Sequence, residues 1–382
     1  MFREKFLPRA EYIRLPFKDR LITLSRTEDE RATGLHEKLI TICLHSLSIS
    51  PDDEHPNDHE GKAYPRERVK NSGLTCLGEA IEANATNQYP TSEIVMRQVK
   101  WYKTFFSNKP GMIIAYTTGG IREAKKEGTQ AVWLGIEGDG SLFVGPGLML
   151  KRGTPDAYYP FLDNIDIFFE LGVRRLSPIL NFRNYIGDGS LERYDSGLSE
   201  YGVAFIERMN KVGMMIDMSH WGEKSSFDAV AISKDPCMVS HAGARALYPK
   251  NMRLKSDELV KALSEKGGII GVCGIPNYLS GNERQGVKDM MDHIDHLVNL
   301  VGVDSVGIGL DIIWGDQVAS PVTRHYLIHM GLGFPSQYME GIDSLEEWPN
   351  ITRGLVSRGY SDQEIEKIVG GNALRMFDEI TE

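Results

Sequence analysis

Short runs of apolar residues recur along the chain and alternate with longer amphipathic stretches. Eight runs are rich in β-branched and other apolar side chains, which is typical of buried strands. They are residues 39–44, 74–78, 131–136, 173–177, 214–218, 236–239, 268–273 and 305–309. The clearest helical patterns between them are 120–127, 202–212, 256–266 and 287–301. This alternation predicts a parallel α/β sheet, and eight such units predict a closed (β/α)8 TIM barrel.

The predicted barrel domain covers residues 39–382, and residues 1–38 are predicted to form an N-terminal extension packed on it. Two long segments, 50–66 and 312–347, follow strands one and eight. Loops that follow the strands of a barrel lie on the face where active sites form. We therefore expect both long loops to cover the site.

Composition narrows the possible partners. The chain has 382 residues and a formal net charge of −10, which argues against a nucleic-acid surface. The first 20 residues contain no apolar core of a signal peptide, and no apolar run is long enough to cross a membrane. We expect a cytoplasmic protein with a small-molecule substrate and no membrane partner. Its four cysteines lie in apolar stretches and are expected to be reduced, buried thiols.

Five polar residues stand where apolar strands stop, and they are the main chemical signal. They are His45, Glu137, His220, His241 and Asp311. Because the ends of parallel strands meet at one barrel mouth, these side chains should converge. Imidazole nitrogens and carboxylate oxygens are the ligands of a catalytic zinc site with one position open to water.

Two other groups of residues could bind metal but have simpler explanations. The first group is Asp292, His293, Asp295 and His296, and the second is His55, Asp58 and His59. The first lies on one predicted outer helix, which favours solvated or capping side chains. The second lies in the polar loop after strand one, which favours surface residues, although these could approach a metal near His45.

Four segments resemble the renal (membrane) dipeptidase family. They are GLSEYGVAFIERMNKVGMMIDMSHWGEKSSFDAVAISKDPCMVSHAGARAL, WLGIEG, GVDSVGIGLD and RGYSDQEIEKIVGGNALRMF. The resemblance runs from about residue 38 to the C-terminus, and the paired Ser-His region is its most specific part. It implies an amidohydrolase-like, metal-dependent barrel, typically with two zinc ions, dipeptide substrates and a homodimer.

The matching positions also imply roles for the five strand-end residues. Glu137 would bridge the two metals, His220 and His241 would bind one of them, and His45 would bind the other. Asp311 would be the catalytic base that shuttles a proton.

The chain departs from the family at three positions. The family's first strand ends in His-x-Asp, whereas Leu47 stands in place of the Asp and cannot bind a metal. A His that follows the fourth strand in the family falls on Leu180, or on Asn181 with a shift. An Arg that binds the substrate carboxylate has its nearest match in Lys250, with Arg253 close by.

Together these observations predict a metal-dependent hydrolase that cleaves an amide bond of a dipeptide or similar small molecule with a metal-activated water. One firmly bound zinc ion is expected at Glu137, His220 and His241, with a weak or empty site at His45; a second ion or another divalent metal stays open. Asn181, Arg183 and Asn184 are further candidates for substrate binding. The alternatives are a mononuclear lyase or decarboxylase, a hydrolase of another bond, and a non-catalytic ligand-binding descendant.

Overall fold

The structure is a computed structural model, and it describes most of the chain. The described residues are 22–47, 70–82, 92–107, 111–138, 162–282, 285–312, 330–332 and 339–381. The predicted loop at 50–66, and with it His55, Asp58 and His59, lies outside the described residues. So does most of the loop at 312–347.

Nine short strands, all paired in parallel, are found in the described residues. They are β1 (Ile42–Ser46), β2 (Cys76–Glu82), β3 (Met112–Ile114), β4 (Gln130–Glu137), β5 (Val173–Ser177), β6 (Met215–Ile216), β7 (Met238–Ala242), β8 (Ile269–Val272) and β9 (Val306–Ile308). One sheet has the order β1-β2-β4-β5-β6 with β3 paired to β4, and the other has the order β7-β8-β9.

Backbone contacts connect the two sheets on both sides. Asp217, just after β6, forms a parallel bridge with Met238 of β7. On the other side, the amide of Asp311 donates to the carbonyl of His45 over 3.1 Å. These contacts bring the ends of β1, β6, β7 and β9 together.

Helices lie between most of the strands. The α-helices are α1 (Arg26–Lys38), α2 (Ser92–Ser107), α3 (Thr118–Glu127), α4 (Asp163–Leu171), α5 (Glu200–Val212), α6 (Glu223–Ile232), α7 (Asp257–Glu265), α8 (Val287–Val301), α9 (Pro349–Ser357), α10 (Asp362–Glu366) and α11 (Asn372–Thr381). Short 3-10 turns cover Val303–Ser305 and Leu345–Glu347, and a π-turn at Lys367–Gly371 joins α10 to α11. No described helix is long and apolar enough to cross a membrane.

The hydrophobic core forms two clusters, one on each face of the strands. The larger packs between strands and helices. The smaller one is formed mainly by the inner faces of strands together with α11, and it includes Leu44, Trp133 and Phe377. The ring of Phe377 meets that of Trp133 edge to face at 5.2 Å. The polar strand ends therefore stand above an apolar floor.

The predicted alternation is confirmed as an α/β arrangement of parallel strands, and each of the eight predicted strands has an observed counterpart. Strand β3 was not predicted. It has only three residues, too few to show a pattern. All four cysteines are buried and unpaired, as predicted.

Candidate metal centre

The five strand-end residues come together at the C-terminal edge of the sheets. Glu137 is the last residue of β4, where strict alternation along the strand turns it to the inner face. His45 and His241 lie in β1 and β7 beside register irregularities, which fall between Cys43 and Ser46 and between Val239 and Ala242. Such irregularities re-aim side chains near active sites.

The Glu137 carboxylate is the centre of this cluster. Its Oε1 lies 2.9 Å from Nε2 of His220 and 3.6 Å from Nε2 of His241. Its Oε2 lies 3.6 Å from Nε2 of His45. The Nε2 atoms of His220 and His241 are only 3.0 Å apart. All four side chains are almost entirely buried, so charge on them requires a compensating partner.

Asp311 closes the cluster from the turn after β9. Its Oδ1 lies 3.3 Å from Nε2 of His45, and its Oδ2 lies 3.8 Å from Nε2 of His241. Its φ of 56° is in the left-handed region, where few residues other than glycine occur. Burial, followed by the charge of Glu137, raises the pKa of Asp311 well above its usual value. A carboxyl group with a raised pKa suits proton transfer near neutral pH.

The hydrogen bonds of His220 show which ring nitrogen carries a lone pair. Its Nδ1 faces Oδ1 of Asn181 at 2.8 Å, and its Nε2 faces a guanidinium nitrogen of Arg253 at 3.1 Å. Arginine can only donate, so Nε2 must accept and Nδ1 must carry the proton. The lone pair of His220 therefore points into the cluster.

The same reasoning applies to His241. Its Nδ1 lies 2.9 Å from Oγ of Ser240, and that hydroxyl donates its single proton to Asp217 over 2.5 Å. The hydroxyl can then only accept from His241. The lone pair of His241 is therefore also on Nε2, toward Glu137. Burial is the main cause that lowers the pKa of both His220 and His241 well below the usual value, which keeps them neutral.

His45 has the opposite tautomer, with its proton on Nε2. Its Nδ1 lies 2.8 Å from NH1 of Arg175 and must accept, so neutral His45 carries its proton on Nε2. Burial lowers the pKa of His45 to about 4; Glu137 opposes this effect and Arg175 adds to it. The Nε2 atom points at the carboxylates and has no hydrogen bond to any described residue.

Asp217 is hydrogen-bonded to the residues that contact the histidines from behind. It accepts from Arg175 over 2.5 Å and from the hydroxyls of Ser219 and Ser240 over 2.6 and 2.5 Å. Burial alone would raise the pKa of Asp217, but Arg175 and these hydroxyls hold it below its usual value. The sequence analysis did not identify Arg175 or Asp217 as site residues. A charged residue inside each of these otherwise apolar strands could have indicated them.

These donors fit one divalent cation. Two imidazole lone pairs and the Glu137 carboxylate converge within 3.6 Å of one another, and Oε1 of Glu137 has no hydrogen bond to any described residue. Three such ligands with a further open position make a catalytic zinc set. Ligand atoms of His45, Glu137 and His241 also lie within 4.8 Å of one another. The proton on Nε2 makes His45 the weakest ligand of the group.

The two candidates for the substrate carboxylate have different surroundings. Arg253 is fully buried and donates to the carbonyl of Ser219 as well as to His220. Lys250 is exposed. Of the two, Arg253 is the one that contacts the metal centre.

The segment after β5 supports the site through Asn181. This residue is buried, has a φ of 61° and orients His220. Its predicted contact with substrate stays a prediction. The exposed Arg183 pairs with the buried Asp188, and its role in substrate binding stays a prediction. Asn184 holds its own loop by bonding to the Pro178 carbonyl.

The acidic and histidine-rich stretch of α8 has structural partners. Nδ1 of His293 accepts from the amide of Ala244, and Nε2 bonds to the carbonyl of Leu279. Asp292 and Asp295 pair with Arg358. The stretch thus lies on a helix, as predicted, but His293 is buried in the fold and is neither a solvated nor a capping side chain.

Comparison with known proteins gives the same family as the motifs. A family model described as Membrane dipeptidase (Peptidase family M19) matches residues 64–320. Dipeptidase tcpJ of Claviceps purpurea is 31% identical over 218 residues, covering 56% of this chain and 46% of that protein. Dipeptidase verJ of Clonostachys rogersoniana is 26% identical over 302 residues, covering 77% and 67%. The chain thus spans about half to two thirds of the length of these relatives.

A solved structure supports the fold. The probable dipeptidase PvdM from Pseudomonas aeruginosa matches with a TM-score of 0.74 at 22% identity. The match covers 94% of this chain and 99% of that one.

Proposed function

Because the chain belongs to the membrane dipeptidase family, we propose that it is a metal-dependent hydrolase that cleaves an amide bond of a dipeptide or similar small molecule. One observation carries the proposal. The lone pairs of His220 and His241 converge on the Glu137 carboxylate, with Asp311 beside them. A merely structural cluster has no need of two inward lone pairs next to a buried carboxyl group with a raised pKa.

In the proposed mechanism, Glu137, His220 and His241 hold one divalent metal, for which zinc fits the donors best. When bound, the metal supplies Lewis-acid chemistry and promotes ionisation of water. Asp311 accepts the proton of the attacking water and passes it to the leaving amine. Arg253 binds the substrate carboxylate, for which its planar donors are well suited.

We extend the proposal to the architecture around this site. The two sheets close into one eight-stranded barrel through the contacts of Asp217 with Met238 and of Asp311 with His45. Residues 39–382 form the barrel domain, and 1–38 the added segment. A homodimer and a cytoplasmic location stay predictions.

Turnover of a dipeptide panel tests the function. Arg253→Lys keeps the charge but loses the planar fork, so KM for dipeptides should rise by about tenfold or more. Lys250→Gln is the matched control, because Lys250 is exposed and should leave KM unchanged.

Two results would contradict the proposal. If the protein retains no zinc after incubation with zinc and hydrolyses no dipeptide in the panel, a non-catalytic function takes its place. If Lys250→Gln raises KM and Arg253→Lys does not, the carboxylate assignment is wrong.

A further inference from the structure

A buried arginine inside the sheet is the least expected feature of the site. Arg175 is fully buried, and NH1 contacts Nδ1 of His45, Oδ2 of Asp217 and Oγ of Ser240 within 2.9 Å. Its Nε and NH2 atoms have no hydrogen bond to any described residue. Burying a guanidinium costs several kcal/mol unless it is well paired, so its presence calls for a reason.

The neighbouring strand is built to accept this side chain. Gly135 of β4 is the register partner of Arg175. A Cβ added at Gly135 would lie 2.6 Å from both Nε and NH2 of Arg175. The glycine therefore leaves the space that the guanidinium occupies.

Arg175 determines which nitrogen of His45 carries the proton. The guanidinium has no lone pair and cannot accept from Nδ1, so Nδ1 accepts and Nε2 is protonated. A protonated nitrogen cannot bind a metal. The proton so fixed lies on the ring nitrogen that is 3.3 Å from Oδ1 of Asp311, although this pair lacks the geometry of a formed hydrogen bond.

The position where the family has a metal-binding Asp also holds an apolar residue, since Leu47, which directly follows β1, is buried. Two independent features thus oppose a metal at His45: an apolar residue in place of a ligand and a fixed positive charge behind the ring.

We propose that Arg175 is a positioning residue that holds the proton of His45 on Nε2, beside the Asp311 carboxyl group, so that His45 is not a metal ligand, and that the charge of Arg175 takes the place of a second metal ion. The inference rests on the proposed hydrolase, because the single metal at Glu137, His220 and His241 belongs to it. Restoring the carboxylate at position 47 is then insufficient to create a second metal site while Arg175 is present.

Metal stoichiometry tests this directly. The natural protein, Leu47→Asp, and Leu47→Asp combined with Arg175→Gln are saturated with zinc, desalted and analysed by elemental mass spectrometry. The first two should hold one zinc per chain, and the third should approach two, because the glutamine amide can accept from Nδ1 and free Nε2. Leu47→Asp combined with Arg175→Lys should hold one, since lysine also only donates.

Arg174→Gln in the Leu47→Asp background is the matched control. Arg174 is adjacent in β5 but bonds to backbone carbonyls of Tyr116 and Phe169 away from the cluster. The Arg174→Gln substitution should leave the zinc content at one ion per chain. A second zinc in the natural protein or in Leu47→Asp alone would overturn the inference and leave the hydrolase standing. No zinc in any variant would overturn the hydrolase itself.

Removing Arg175 leaves Asp217 buried without its cation, a loss large enough to prevent folding. A measurement on the natural protein avoids this risk. Nitrogen-15 NMR of histidine-labelled, zinc-loaded protein, with His45 identified by its loss in His45→Gln, reports the protonated nitrogen. A proton on Nε2 supports the inference, and a proton on Nδ1 refutes it. A folded Leu47→Asp, Arg175→Gln protein that holds one zinc would also refute it.

Discussion

The bond between Asn181 and His220 gives a quantitative prediction for metal affinity. The amide Oδ1 accepts from Nδ1 of His220 over 2.8 Å, and both residues are buried. Loss of such a partner to a metal-binding histidine typically weakens the metal about 10–100-fold, or about 1.4–2.7 kcal/mol. Asn181→Gly should show this loss without backbone strain, because glycine tolerates the φ of 61°.

The assay is zinc affinity by competition with a coloured chelator. Asn181→Asp keeps an acceptor and should retain affinity. Asn277→Gly is the matched control, since Asn277 is also buried at a φ of 64° but bonds to Gln285. If Asn181→Gly binds zinc as tightly as the natural protein, His220 is not held as a ligand by this bond and the reasoning fails.

Three further predictions concern packing, pH and proton transfer. Gly135→Ala should destabilise by about 1–3 kcal/mol in urea unfolding through the clash with Arg175, whereas Gly34→Ala, which meets nothing, should not. Burial lowers the pKa of His293, so only the unfolded state gains a proton near the ordinary 6.5; stability should fall below that pH, and less in a His293→Gln variant. Asp311→Asn should lower kcat by about 10²–10⁴ yet retain zinc; unchanged kcat would exclude Asp311 as base.

The strands could be located from sequence because each buried run is bounded by helical or polar residues. The lengths of the strands could not be predicted from the apolar runs. The run 214–218 forms only the two-residue strand β6, because its pairing with β5 ends at Ile216 and Asp217 bridges to Met238 of β7. Met112–Ile114 is too short for periodicity to indicate a strand.

The positions of the strand-end residues were also predictable, because parallel strands bring their C-terminal ends together. The residues that contact these side chains from behind were not predictable. Arg175 looked like one of two ordinary arginines in β5, and only its burial next to His45 distinguishes it from Arg174. Proximity along the chain could not separate Lys250 from Arg253 either, because the turn between them exposes one and buries the other.

Zinc titration of chelator-treated protein, with dipeptide hydrolysis followed at each addition, tests the central claim most directly. The proposed single centre at Glu137, His220 and His241 predicts that the rate rises linearly and stops at one equivalent of zinc per chain. A rate that never rises, or that rises until two equivalents are bound, would contradict the account.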